Sequence, residues 1–248
     1  MVDTEDGNET DGNTNGAGGT DATAEETDQL TQTPGGGERP AAEPIEPSAP
    51  EQFGLVSAWW GNGKGKSTAA MGMGFRAAGH GFRVHMLQFM KGGASSVEAT
   101  RGEYNAITAI PGFSYENGGH YGWHGLLDGS DDDEHAAQAQ GALNRAEELL
   151  TAAEEADLSA PIPLDTEPEA GMHMLIIDEI LYAANRDLIE PAAVVDLVES
   201  KPEGLELVLT GGHEEPEYIL EQADLISHVN KEKHPFDSGQ RARLGTEY

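Results

Sequence analysis

An α/β fold built on a doubly wound, mostly parallel sheet is predicted by two features of the sequence. From residue 53 onward β-prone apolar runs alternate with helical stretches, and the first run leads through a glycine-rich turn directly into a helix. Residues 53–60 (FGLVSAWW) read as the first strand. Residues 66–79, rich in Ala, Met and small residues, read as a helix stopped by Gly79 and Gly81. Residues 82–89 (FRVHMLQF) supply a second strand, which completes a βαβ unit with a right-handed crossover.

A short third strand is expected at 106–110, ended by Pro111-Gly112. Residues 117–133, glycine-rich and acidic, read as a mobile loop, and helical character resumes over 134–156 with Leu143, Ala146, Leu149 and Leu150 on one face. The three prolines in 158–171 make that stretch another loop. Residues 172–180 (MHMLIIDEI) form a buried-strand pattern that ends in two carboxylates. Pro191 opens the next helix, AAVVDLVES. A strand at 205–211, a helix at 215–223 and a strand at 224–230 complete the series, with no internal repeat.

Composition divides the chain of 248 residues into an acidic tail, 1–50, and one domain, 51–248. The tail is nearly all Asp, Glu, Gly, Thr, Asn, Ala and Pro, too poor in apolar side chains to offset chain entropy, and is expected to be disordered. Twelve acids against one arginine give it 11 of the 31 net negative charges, so 20 remain on the domain. Adaptation to high salt explains so acidic a surface, and the absence of a basic stripe argues against nucleic acid as a partner. Without cysteine there are no disulfides or thiolate metal sites. No basic-then-apolar leader and no membrane-length apolar run occur, so a soluble, cytoplasmic protein is expected.

The six lysines are Lys64, Lys66, Lys91, Lys201, Lys231 and Lys233. Five of them fall in three short glycine-containing segments, which points to an anionic ligand; the alternative is chance clustering. One of those segments, WWGNGKGKSTAA, nearly spells the phosphate-binding pattern G-x-x-x-x-G-K-[ST]. Gly65, Lys66 and Ser67 fit, but the first glycine is replaced by Trp60. In such a P-loop, backbone N–H groups and a helix N-terminus wrap phosphate oxygens, the lysine reaches the phosphates and the hydroxyl ligands Mg²⁺. Asp178 and Glu179, at the end of an apolar strand, are placed like a Walker B element that holds the Mg²⁺. The alternatives are a plain turn and a solvated strand end.

Further phrases narrow the reading. GNGKGKSTAA, LQFMKG, GFSYE, LIIDEILYA, KPEGLELVLTG, ADLISHV and KHPFDSGQRARLGTEY occur in the order and approximate spacing of the ATP:corrinoid adenosyltransferases. The chain resembles the P-loop class of that family over residues 53–248. The resemblance implies a P-loop, RecA-like architecture and a reaction in which a reduced corrinoid attacks the 5′-carbon of ATP. An adenosylcorrinoid forms and triphosphate leaves intact. Gly61, Asn62, Gly63, Lys64, Gly65, Lys66, Ser67 and Thr68 are the implied nucleotide contacts; Lys91 reads as a further phosphate or substrate contact, the alternative being a solvated loop lysine.

The family's aromatic pair, packed against the lower corrin face to exclude an axial ligand, maps onto Phe113 and Tyr115, with Tyr where Trp is common. The alternative is two core aromatics on opposite faces of a strand. Lys233, His234 and Asp237 fall in the C-terminal phrase and are expected to shape the corrinoid side or a lid. Gly212 replaces an arginine often found there, and the loops at 117–133 and 158–171 also depart from the family. His120 and His124 lie four apart in the first of these loops, which does not give them helical geometry for a metal. A homodimer and a reduced flavin or flavoprotein as electron donor are further implications. The competing functions are a P-loop phosphotransferase or ATPase, and a nucleotide-gated binding protein whose tail recruits partners.

Overall fold

The computed structural model describes residues 41–90, 102–118, 132–241 and 243–246. Two compact units are distinguished, Met1–Pro44 and Ile45–Tyr248. Of the first, residues 41–44 are described and carry no secondary structure. The second unit holds the fold.

Its sheet has six strands: β1 (Val56–Trp60), β2 (Val84–Gln88), β3 (Phe113–Asn117), β4 (Met174–Asp178), β5 (Glu206–Thr210) and β6 (Leu225–His228). Every pairing is parallel, in the order β3-β2-β4-β5-β1-β6. Five α-helices are described: α1 (Lys66–Gly79), α2 (Gly102–Thr108), α3 (Asp132–Glu155), α4 (Ile180–Asn185) and α5 (Pro191–Glu199). A parallel sheet is covered on both faces, and alternation along β4 shows it here. Met174 and Ile176 face a cluster that includes Ala70, Ala77 and Ala78 of α1 and Ile107 of α2. Leu175 and Ile177 face the cluster of α3, α4 and α5. Each such side chain contributes about 1.5–3 kcal/mol by leaving water. On α3 the buried residues Ala139, Ala142, Leu143, Ala146, Leu149, Leu150 and Ala153 recur at the spacing of one helical face.

The doubly wound α/β class, α1 and the positions of β1, β2, β4, β5 and β6 agree with the sequence reading. Two local expectations fail, and one helix was not foreseen. Residues 106–110 belong largely to α2 rather than to a strand, because Ile107 is buried in the α1-side cluster and Tyr104 stacks on Tyr115. The third strand instead follows Pro111-Gly112. The helix expected at 215–223 contracts to a single 3₁₀ turn, Glu217–Ile219, since Pro216 precedes it and Leu220 stays exposed. Conversely, α4 was hidden in the apolar run after Asp178. It starts because Glu179 adopts a left-handed conformation (φ 65°) that turns the chain off the strand.

Candidate functional site

The carboxyl ends of the strands converge on the glycine loop, the edge where open α/β sheets bind ligands. Residues 61–65 connect the last residue of β1 to the first of α1, and Gly65, in a left-handed conformation, is the helix N-cap without a side-chain cap. The first turn of α1 carries no acid, so the positive end of the helix meets the loop without a competing anion of its own. Lys66 Nζ donates to the carbonyls of Gly61 at 2.6 Å and Gly63 at 3.1 Å, which holds the ammonium across the loop. Ser67 follows in the first turn, half-buried, whereas Thr68 and Lys64 are exposed.

The loop is fastened to the last strand. Gly63 N–H donates to Val229 O at 2.7 Å, and a Cβ on Gly63 would stand 2.7 Å from that same oxygen, so only glycine allows the approach. Asn62 Oδ1 accepts from the Lys231 N–H at 2.9 Å, so this side chain latches the loop to the C-terminal segment. Trp60 still belongs to β1 and stacks on His228, its register partner in β6, with centroids 3.8 Å apart and planes 5° apart. The tryptophan thus extends the strand by one residue at the point where the usual pattern would already turn.

Asp178 is fully buried at the end of β4. Its Oδ1 accepts from Thr210 Oγ1 at 2.6 Å and its Oδ2 from Gln88 Nε2 at 3.1 Å. Thr210 Oγ1 also accepts from the Glu179 N–H at 3.1 Å, so one hydroxyl sets both acids. Gln88 Oε1 is buried beside them with no partner. Neither Gln88 nor Thr210 was foreseen; the only signal was their place at the ends of strands flanking β4. Ser67, Asp178 and Glu179 offer oxygen donors, the chemistry Mg²⁺ prefers, and the orphaned Gln88 oxygen is an acceptor suited to a water of that ion. No cluster of three or more His, Cys, Asp or Glu able to hold a metal occurs among the described residues.

The remaining expected residues separate. Phe113 is 4% exposed, beneath α1 with its ring 5.4 Å from that of Phe75. Tyr115 is half-buried and stacked on Tyr104 at 4.5 Å. Both rings join the α1-side cluster, not opposite faces, because residues two apart on a strand point the same way. Lys201 lies at the opposite edge of the sheet, where Nζ donates to the carbonyls of Gly54, Pro202 and Leu205. Its role is structural, unlike that expected of a ligand-binding lysine. Lys231 pairs with Asp237 at 3.2 Å, Lys233 is exposed, and His234 Nδ1 accepts from the Phe236 N–H at 3.1 Å, capping a short turn. Lys91, His120 and His124 lie outside the described residues.

A glycine cradle between strand and helix, with a buried aspartate one strand removed across β5, defines a P-loop α/β protein of the RecA-like type. The sequence model described as ATP:corrinoid adenosyltransferase BtuR/CobO/CobP matches residues 52–248, so the chain belongs to that family. Similar proteins include the corrinoid adenosyltransferase of a Sinorhizobium species, 31% identical with 93% of this chain and 97% of that protein covered. Those of Pseudomonas aeruginosa and Escherichia coli K12 are 30% and 27% identical, each over 81% of this chain and 86% and 88% of theirs.

Proposed function

We propose that this chain transfers the 5′-deoxyadenosyl group of ATP to the cobalt of a reduced corrinoid. The observation that carries the reading is the Lys66 ammonium held across a glycine cradle that also receives a helix N-terminus, within a family that acts on ATP and corrinoids. The cobalt electron pair attacks C5′, a cobalt–carbon bond forms, the C5′–O bond breaks, and triphosphate leaves with the bonding electrons. The protein's task is to hold three phosphates as one leaving group and to leave the ribose carbon open.

Lys66, Lys64 and the N–H groups of 64–68 bind the triphosphate and offset the charge that grows on it. Mg²⁺, held by Ser67 with Asp178 and Glu179, would supply further charge neutralisation. Asn62 keeps the loop joined to the C-terminal segment, where Lys233 and His234 border the corrinoid side. Phe113 and Tyr115 exclude an axial ligand from the lower corrin face, with Phe113 as the buried support and Tyr115 as the part nearer solvent. Lys91 is a further phosphate contact, and the acid-rich surface suits a cytoplasm of high salt. A homodimer that accepts electrons from a reduced flavin or flavoprotein completes the proposal.

The test supplies Mg·ATP and chemically reduced cob(I)alamin anaerobically at high salt, following corrin absorbance and the inorganic product. Triphosphate formed in step with a light-sensitive adenosylcorrinoid is expected, as is loss of turnover by at least about a hundredfold in Lys66→Ala. ADP with phosphate would instead make the protein a phosphotransferase or ATPase.

A further inference from the structure

The turn after β5 is tied to the glycine loop through a single residue. Gly61 N–H donates to the Gly212 carbonyl at 3.0 Å, and the Gly61 carbonyl accepts from Lys66 Nζ at 2.6 Å. Residues 211–213 therefore lie beside the ammonium that the loop holds. Asn185 Oδ1, at the end of α4, accepts from the N–H groups of His213 at 2.9 Å and Glu214 at 3.2 Å. The His213 ring stands edge-on to Tyr182 with centroids 5.5 Å apart. Gly212 has φ 71°, and a Cβ there would stand 2.6 Å from Asn185 Oδ1, so position 212 cannot carry a side chain without moving that anchor. After the two glycines, the first side chain of the turn is the exposed imidazole of His213.

We propose that His213 is a phosphate-binding residue of this chain, its imidazole donating a hydrogen bond to the triphosphate portion of ATP. This rests on reading residues 61–67 as the ATP site. Burial first, and the Lys66 ammonium second, hold the imidazole below the usual histidine range. A bound polyphosphate reverses that bias by placing several negative charges beside the ring, so binding draws a proton onto it. The charged groups around it are Lys66 of α1, Glu179 beside Gly211, Arg186 over the Tyr182 ring, and Glu214 and Glu215 on its own segment. Polyphosphate affinity then weakens as pH rises.

The test titrates the full-length protein at high salt with Mg·ATP and, separately, inorganic tripolyphosphate, at about pH 6 and about pH 8.5. Wild type is compared with His213→Gln, His213→Arg and Lys66→Ala at each pH, which cancels the titration of the phosphates themselves. His213→Gln is expected to weaken binding of both ligands about tenfold at the lower pH and less than about twofold at the higher. His213→Arg restores affinity and removes the protein's share of the pH dependence, which a purely structural histidine would not allow. In turnover, His213→Gln raises KM for ATP more than it lowers kcat. Equal affinities for wild type and His213→Gln at both pH values, with binding lost in Lys66→Ala, would overturn the role of His213 alone. Undiminished binding in Lys66→Ala would overturn the ATP site and this inference together.

Discussion

Thr210 ends β5 with one hydroxyl serving two acids, donating to Asp178 and accepting from the Glu179 N–H. Thr210→Val keeps the shape and strand propensity but leaves a buried carboxylate oxygen without this donor, at a cost of about 1–3 kcal/mol. The Mg²⁺ concentration needed for half-maximal activity should rise about tenfold, and Thr210→Ser should restore it. An unchanged Mg²⁺ requirement in Thr210→Val would show that Asp178 is oriented without it. The acids themselves were legible, since charge at the end of an apolar run is unusual. Thr210 was not: a β-branched residue closing a strand is ordinary, and only the fold brings it to the aspartate. Trp60 was legible as an anomaly and uninterpretable as a contact, because its partner His228 lies 168 residues further on.

At the scale of elements, β2, β3 and α3 are joined by a polar network beneath the apolar layers. The Ser114 hydroxyl accepts from Arg83 Nη1 at 3.1 Å and shares a hydrogen bond with His85 Nδ1, 2.8 Å away. The ring's other nitrogen faces Glu116 at 3.5 Å, and Glu116 is held by Arg145 of α3 at 2.7 and 2.8 Å. Burial, chiefly, lowers the His85 pKa from 6.5 to about 4. Between those values the unfolded chain binds the proton more strongly, so this share of stability is complete above about pH 6.5 and is lost toward pH 4, up to about 3 kcal/mol. The Arg145 hydrogen bond lowers the Glu116 pKa, which adds stability in the same direction below the ordinary carboxylate value. Urea unfolding at about pH 7 and about pH 4.5 should show the loss in wild type and a flatter profile in His85→Gln; parallel profiles would exclude His85 as the cause. Helices α1 and α5 were readable because a glycine loop and a proline mark their starts. By contrast, α2 and the turn at 217–219 were misread, since short segments carry too few residues for periodicity to oppose local propensity.

Over the whole molecule, alternating strands and helices made the parallel sheet predictable, while the strand order was not legible. Nothing local says that β5 inserts between β1 and β4; the order comes from which apolar faces can all be covered at once. Charge was legible in total but not in placement. The chain carries a net charge of −31, yet the lysines among the described residues divide between the loop at 64–66, the C-terminal latch and the Lys201 brace at the far edge. Like charges at this density repel across the surface in dilute buffer, and the repulsion opposes the compact state. Raising salt from about 0.05 M to about 0.5 M shortens the screening length well below 10 Å, so that repulsion should fade while preferential-exclusion effects remain small. The thermal midpoint should therefore climb steeply over that range in KCl and in NaCl alike, and hardly at all in sucrose of matched osmolality. A flat midpoint in both salts would mean that the acids are spaced widely enough to be tolerated without screening, and that the surface is acidic for solubility alone.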